Sequence, residues 1–85
     1  DPDPEFDMAR LASVFSALEE RDKEICRLFA LGFSSGEIGD QLEMTGRNVD
    51  LRRKKCFDTL GVEKVVELTR LLTQLEERGY LQIEL

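Results

Sequence analysis

From Met8 onward, apolar residues recur every three or four positions, which is the spacing of one face of an α-helix. No window of strict apolar–polar alternation is long enough to predict a strand. The periodic stretches lie at about residues 8–17, 19–31, 35–43, 46–60 and 63–78. The pattern therefore predicts an all-α domain of four core helices, with a possible extra helix at its N-terminal end.

Residues typical of helix ends separate these stretches. Glycines follow three of them, at Gly32, Gly61 and Gly79, and glycine readily closes a helix in the left-handed conformation. Ser34 and Glu37 have the spacing of a capping box, in which each side chain accepts a hydrogen bond from the other residue's backbone amide. Thr45 is a favourable N-cap for the stretch 46–60. Local chemistry thus agrees with the predicted boundaries.

The stretches 35–43 and 46–60 are short, and few residues separate them. This is the spacing of a helix-turn-helix, in which the second helix faces outward. On a helix of 3.6 residues per turn, Val49, Cys56 and Leu60 share one side of 46–60 and are expected to be buried. The opposite side is expected to present Arg47, Asp50, Leu51, Lys54 and Asp58, with Arg52, Arg53 and Lys55 on its flanks.

Charge is unevenly distributed along the 85 residues. The whole chain carries 12 Lys and Arg against 18 Asp and Glu, a net charge of −6. Residues 45–60 are the exception, because five basic and two acidic side chains give them a net charge of +3. Residues 1–7 hold four of the acidic groups and two prolines, which is typical of a disordered leader, an interdomain linker or an expression remnant. The folded domain is therefore expected to span residues 8–85.

Composition excludes several kinds of site. The chain has no histidine, and its two cysteines are far apart, which excludes a Cys/His metal site, a His-based catalytic dyad and a disulfide scaffold. No phosphate-binding glycine loop and no apolar run of membrane-spanning length is present. We expect no enzymatic activity, no metal, no cofactor, no small-molecule ligand and no membrane contact.

Cys26 and Cys56 both fall on inward faces of their helices. Free cysteine is among the most buried residue types, so both are expected to be small core residues. A redox sensor would need an exposed thiol of low pKa, and Lys55 beside Cys56 is the one feature that favours it.

A basic helix face at 45–60 has two interpretations. It fits the major groove of double-stranded DNA, where Arg and Lys neutralise phosphates and side chains near the helix start reach base edges. Alternatively, it is a solvated charged surface, as most runs of charge are. Composition alone does not distinguish them.

Two ordered runs of residues carry a resemblance to a known family. The first run comprises Leu18, Arg21, Asp22, Glu24, Ile25, Leu28, Ala30, Gly32, Ser34, Glu37, Ile38 and Leu42. The second comprises Thr45, Arg47, Asn48, Val49, Leu60, Gly61 and Val62. In order and spacing they resemble the LuxR/FixJ-type (GerE-like) helix-turn-helix domains, over about residues 18–72.

This resemblance implies a four-helical DNA-binding domain, the output domain of a bacterial transcription regulator, working in the cytoplasm at the nucleoid. It implies base-facing roles for Asp50, Leu51 and Lys54. It implies DNA-backbone contacts for Ser34, Ser35, Arg47, Asn48, Arg52, Arg53 and Lys55. The family dimerises through its last helix, which here implies Val66, Thr69, Arg70 and Thr73. Because that interface would be small, dimerisation only on DNA is left open.

Four positions depart from the family. Asp50 stands where the family usually has lysine, and Gly36 and Thr59 stand where it often has a basic residue. A carboxylate repels phosphate, although it can accept a hydrogen bond from a cytosine amino group. An alternative function is therefore a helix-turn-helix fold used as a protein-interaction module, an adaptor or anti-regulator. Glu19 replaces the family's small N-cap residue, so helix 19–31 could merge with the preceding one.

Overall fold

The structure is a computed structural model that describes residues 4–82, with side chains described from Asp7 onward. This part of the chain forms five helices and no strand, so the prediction of an all-α fold is confirmed. The helices are α1 (Pro4–Ser16), α2 (Glu20–Ala30), α3 (Ser35–Leu42), α4 (Gly46–Leu60) and α5 (Val65–Glu77). None of these helices is both long and apolar enough to traverse a lipid bilayer.

The two outermost helices begin at different residues from those predicted. Helix α1 starts at Pro4, so residues 4–7, placed in the leader by the sequence, belong to the helix, while residues 1–3 lie outside the described part. Proline is compatible with a first helical turn because the amide it lacks would have no partner there. Helix α5 starts at Val65, two residues late, because the Glu67 carboxylate accepts hydrogen bonds from the amides of residues 63 and 64.

Helices α1 and α2 are separate, so the suggested merger does not occur. Glu19 has extended backbone angles, φ −62° and ψ 150°, and its side chain does not cap α2. Its carboxylate instead lies 3.3 Å from Nη1 of Arg52 in α4. The Glu19 carboxylate therefore pairs with a cation of another helix instead of capping α2.

The capping prediction at α3 is confirmed. The Ser34 hydroxyl accepts a hydrogen bond from the Glu37 amide, and the Glu37 carboxylate accepts one from the Ser34 amide. Hydrogen bonds from the Ser34 backbone and side chain hold the pKa of Glu37 below its usual value. Thr45 caps α4 by accepting from the Asn48 amide, and Gly61 ends that helix in the left-handed conformation at φ 75°.

Helices α2 and α4 each pack against three other helices, α2 against α3, α4 and α5. Helix α4 packs on α3, α2 and α1, and α5 packs on α2. The most deeply buried apolar side chains come from four helices, at Ile25, Cys26, Ile38, Val49, Cys56, Leu68, Leu72 and Leu75. Val49, Cys56 and Leu60 of α4 are buried, as their spacing predicted. This packing fixes which face of α4 remains exposed.

Candidate nucleic-acid interface

A three-residue turn, Glu43 to Thr45, joins α3 to α4. Glu43 adopts the left-handed conformation at φ 57°, and the Met44 amide donates a 2.8 Å hydrogen bond to the Gly39 carbonyl. A side chain at Gly39 would bring its Cβ within 2.5 Å of the Met44 carbonyl oxygen. The turn thus packs directly on α3, and Thr45 then starts α4.

Three cations are freely exposed on α4. The side chains of Arg47, Lys54 and Lys55 lie at the surface, and within residues 4–82 they form no ion pair and no hydrogen bond. Asn48 is also exposed, and Leu51, between the cations, is 59% exposed. These five residues are therefore accessible where the sequence predicted a DNA-contacting face.

Arg52 is held by two carboxylates of the chain itself. Its Nη1 lies 2.8 Å from Oδ1 of Asp22 and 3.3 Å from Oε2 of Glu19. Asp22 is only 6% exposed, so this ion pair connects α4 to a buried carboxylate in the first turn of α2. The hydrogen bonds to Asp22 and Glu19 raise the pKa of Arg52, which keeps the guanidinium charged. Arg52 thus already has two anionic partners within the chain.

Arg53 is also engaged within the chain. Its guanidinium carbon lies 5.5 Å from the ring centre of Phe29 and 5.8 Å from that of Phe57. Attraction between a cation and an aromatic face is favourable at such distances. Arg53 also lies 3.7 Å from Oδ1 of Asp50. The Arg53 side chain is 39% exposed, and its charge is therefore less available to a phosphate than the charges of Arg47, Lys54 and Lys55.

The two serines predicted to contact phosphate both use their hydroxyls inside the protein. Ser34 caps α3 through its hydroxyl, as described above. The Ser35 hydroxyl donates a hydrogen bond to Oδ1 of Asp50, across the α3–α4 contact. Asp50, predicted to face bases, is therefore anchored on one side, although 49% of its side chain remains exposed.

The predicted dimer residues lie on a different helix. Val66 and Arg70 of α5 are exposed, Val66 by 60%. Thr69 and Thr73 are half-buried beside them, and the Thr69 hydroxyl donates to the Val65 carbonyl. The four residues form a mixed apolar and polar strip on the outer side of α5.

Both cysteines are buried, as their inward positions predicted. A side-chain hydrogen bond with Cys56, together with burial, raises the pKa of Cys26 well above its usual range. The same hydrogen bond lowers the pKa of Cys56, but both side chains are only 1% exposed, which restricts the access of oxidants to either thiol. The pair therefore belongs to the α2–α4 core contact.

Two features of this surface escaped the sequence analysis. Phe57 is 6% exposed and supports Arg53, and its position between Val49 and Leu60 at helical spacing could have revealed it. The pairing of Asp22 with Arg52 had no such signal. Carboxylates at the start of α2 fit the helix dipole equally well, and Arg52 lies 30 residues away.

Comparison with known proteins adds no relative. No family model matches the chain, and no curated protein or solved structure matches it. Within residues 4–82, no three His, Cys, Asp or Glu side chains are grouped so that they could hold a metal ion.

Proposed function

We propose that this protein is a LuxR-type helix-turn-helix domain that binds double-stranded DNA in a sequence-specific manner. It would serve as the output domain of a bacterial transcription regulator, acting in the cytoplasm at the nucleoid. The observation that carries the proposal is the exposed face of α4, where Arg47, Lys54 and Lys55 have no partner within residues 4–82. The helix that carries this face directly follows a short turn that packs tightly on α3.

The dimensions of α4 suit the major groove. The helix has 15 residues, which corresponds to roughly 22 Å, and the groove is about 12 Å wide and admits a helix. In this arrangement Asp50, Leu51 and Lys54 face the bases, while Arg47, Asn48 and Lys55 approach the phosphates. Arg52 and Arg53 contribute mainly by holding α4 on the core, because their charges are already engaged.

A salt titration tests this proposal. Affinity for a mixed-sequence duplex is measured by fluorescence anisotropy at several salt concentrations. Arg47 and Lys55 at the phosphates give a slope of log K against log salt of about −1.8 per bound copy, whereas all five cations of α4 would give about −4.5. Arg47→Ala and Lys55→Ala should each make the slope shallower by about 0.9.

Arg10→Ala is the matched control, since Arg10 is an exposed cation of α1 with no ion pair within the described residues. It should leave the slope unchanged. Absence of binding at low salt, or equal effects of Arg10→Ala and Lys55→Ala, would contradict the proposal.

A second function, a protein-interaction module, is favoured by one feature of the same face. Leu51, at the centre of this face, is 59% exposed. Beside it, Asp50 adds a negative charge, and the charge of Arg52 is already neutralised by Asp22. Backbone amide shifts distinguish the two functions. DNA binding predicts shifts at residues 34–37 and 45–56 on adding duplex, whereas an interaction module predicts none, together with tight binding of a protein partner.

A further inference from the structure

Asp50 lies in the middle of the free cations of α4. On a helix, residues three or four apart are neighbours, so Asp50 lies between Arg47 and Lys54. Its side chain is 49% exposed, which leaves the carboxylate accessible from the face that would enter the groove. A carboxylate there weakens the attraction of phosphates, so its effect on binding must differ from that of its neighbours.

One oxygen of this carboxylate is fixed by the fold. Oδ1 accepts the hydrogen bond from the Ser35 hydroxyl, and Nη2 of Arg53 is 3.7 Å from the same atom. The starts of α3 and α4 lie against each other here. A Cβ added at Gly46 would lie only 3.8 Å from backbone atoms of Gly36. Two helices therefore restrict the rotation of the Asp50 side chain.

The other oxygen, Oδ2, has no hydrogen-bond partner within the described part of the chain. An ionised carboxylate only accepts hydrogen bonds. In the major groove, the amino group of cytosine is the donor that aspartate and glutamate pair with, while guanine and thymine present acceptors that repel it. A carboxylate with one oxygen anchored and one free is thus prepared to accept from a cytosine.

We infer that Asp50 is a specificity-determining residue, and that its free oxygen reads the amino group of one cytosine in each half of a two-fold DNA site, each half-site being bound by one copy of the chain. This inference rests on the proposed DNA-binding function. Its negative charge also lowers affinity for the phosphates of any sequence. Specificity then comes both from the cytosine contact and from weaker binding elsewhere, since discrimination is a difference between affinities.

Selection of binding sites from a random duplex library is the first test. The wild-type chain should select cytosine at one position of each half-site. Asp50→Asn keeps an acceptor for Ser35 but removes the charge, so the selected base should change to adenine, which asparagine recognises, and affinity for mixed-sequence duplex should rise. Ser35→Ala releases the anchor without removing the charge, so it should weaken the cytosine preference without raising mixed-sequence affinity.

A base analogue provides the second test. The selected cytosine is replaced by 2-pyrimidinone, which lacks the amino group. Wild-type affinity should fall about tenfold, the effect of one good base contact, whereas the affinity of Asp50→Ala should not change with this replacement. Circular dichroism melting curves verify that each variant is folded.

The two proposals fail in different ways. If the wild-type chain has no affinity for duplex DNA at low salt, the DNA-binding function is wrong and the role of Asp50 falls with it. If the wild-type chain selects a site that Asp50→Asn selects equally, or if the analogue weakens both proteins equally, only the role of Asp50 is wrong.

Discussion

Arg52 and Lys55 are cations three residues apart on α4, yet their surroundings differ. The Arg52 guanidinium lies between Asp22 and Glu19, and Asp22 is almost fully buried. Lys55 is exposed and pairs with no carboxylate within residues 4–82. At the scale of single residues, similar charges therefore have separate tasks: Arg52 holds α4 on α2, and Lys55 is available to a polyanion.

Exchanging each for alanine should separate these tasks. Arg52→Ala leaves the Asp22 carboxylate buried without its cation, and we expect the free energy of unfolding to fall by about 1–3 kcal/mol. Lys55→Ala should change it by less than about 0.5 kcal/mol, as is usual at exposed positions. Urea denaturation followed by circular dichroism measures both.

The effects on DNA affinity should have the opposite order, with Lys55→Ala weakening binding more than Arg52→Ala does. A double variant lacking both Arg52 and Asp22 should be less destabilised than the sum of the single variants, because the two residues interact directly. Equal stability losses for Arg52→Ala and Lys55→Ala would refute this division.

At the scale of helices, the position of α4 depends on the turn that connects it to α3. Gly39 has no room for a side chain, since a Cβ there would be 2.5 Å from the Met44 carbonyl oxygen. The Met44 amide meanwhile donates to the Gly39 carbonyl. The close approach of the turn to α3 therefore sets the direction in which α4 extends from the turn.

Gly39→Ala should force the turn outward and reduce the free energy of unfolding by about 1–3 kcal/mol, which is typical of overpacking. Gly36→Ala is the matched control in the same helix, because no atom lies within 4 Å of a Cβ at that position. It should leave stability unchanged or raise it by up to about 1 kcal/mol through its better helix propensity. Thermal denaturation compares the two, and similar melting temperatures would show that the turn tolerates displacement.

At the scale of the whole molecule, we propose that the outer strip of α5 contacts a second copy of the chain. Val66 is 60% exposed on this strip, beside Thr69, Arg70 and Thr73. A contact made by one short helix buries little area, so the free chain is expected to be a monomer, with DNA bringing two copies together.

Val66→Glu should therefore prevent the binding of two copies to a two-fold DNA site, because it would place like charges opposite each other across the symmetry axis. Ser13→Glu adds the same charge on the exposed face of α1 and should leave the stoichiometry at two. Analytical ultracentrifugation of the protein–DNA complexes measures this. Two copies of Val66→Glu bound with wild-type cooperativity would place the dimer contact elsewhere.

The positions of the helices, the start of α3 and both ends of α4 followed from the sequence because they depend on neighbouring residues. The capping box of Ser34 and Glu37, the Thr45 cap and the closing Gly61 are contacts within a few positions along the chain. The buried side of α4 was likewise visible as helical spacing, and that spacing left Arg47, Lys54 and Lys55 on the outside. The face that we propose to contact DNA was thus largely predictable.

Only the tertiary structure determined which charged side chains of α4 have no partner within the described residues. Arg52 meets Asp22 across 30 positions and Glu19 across 33, and Asp50 meets Ser35 across 15. No periodicity in the sequence links such pairs, because each contact depends on how two helices pack and not on the repeat of residues along a single helix. The sequence determined that α4 is a basic helix on an all-α core, and the packing of α2 and α3 determined which of its side chains remain available to a partner.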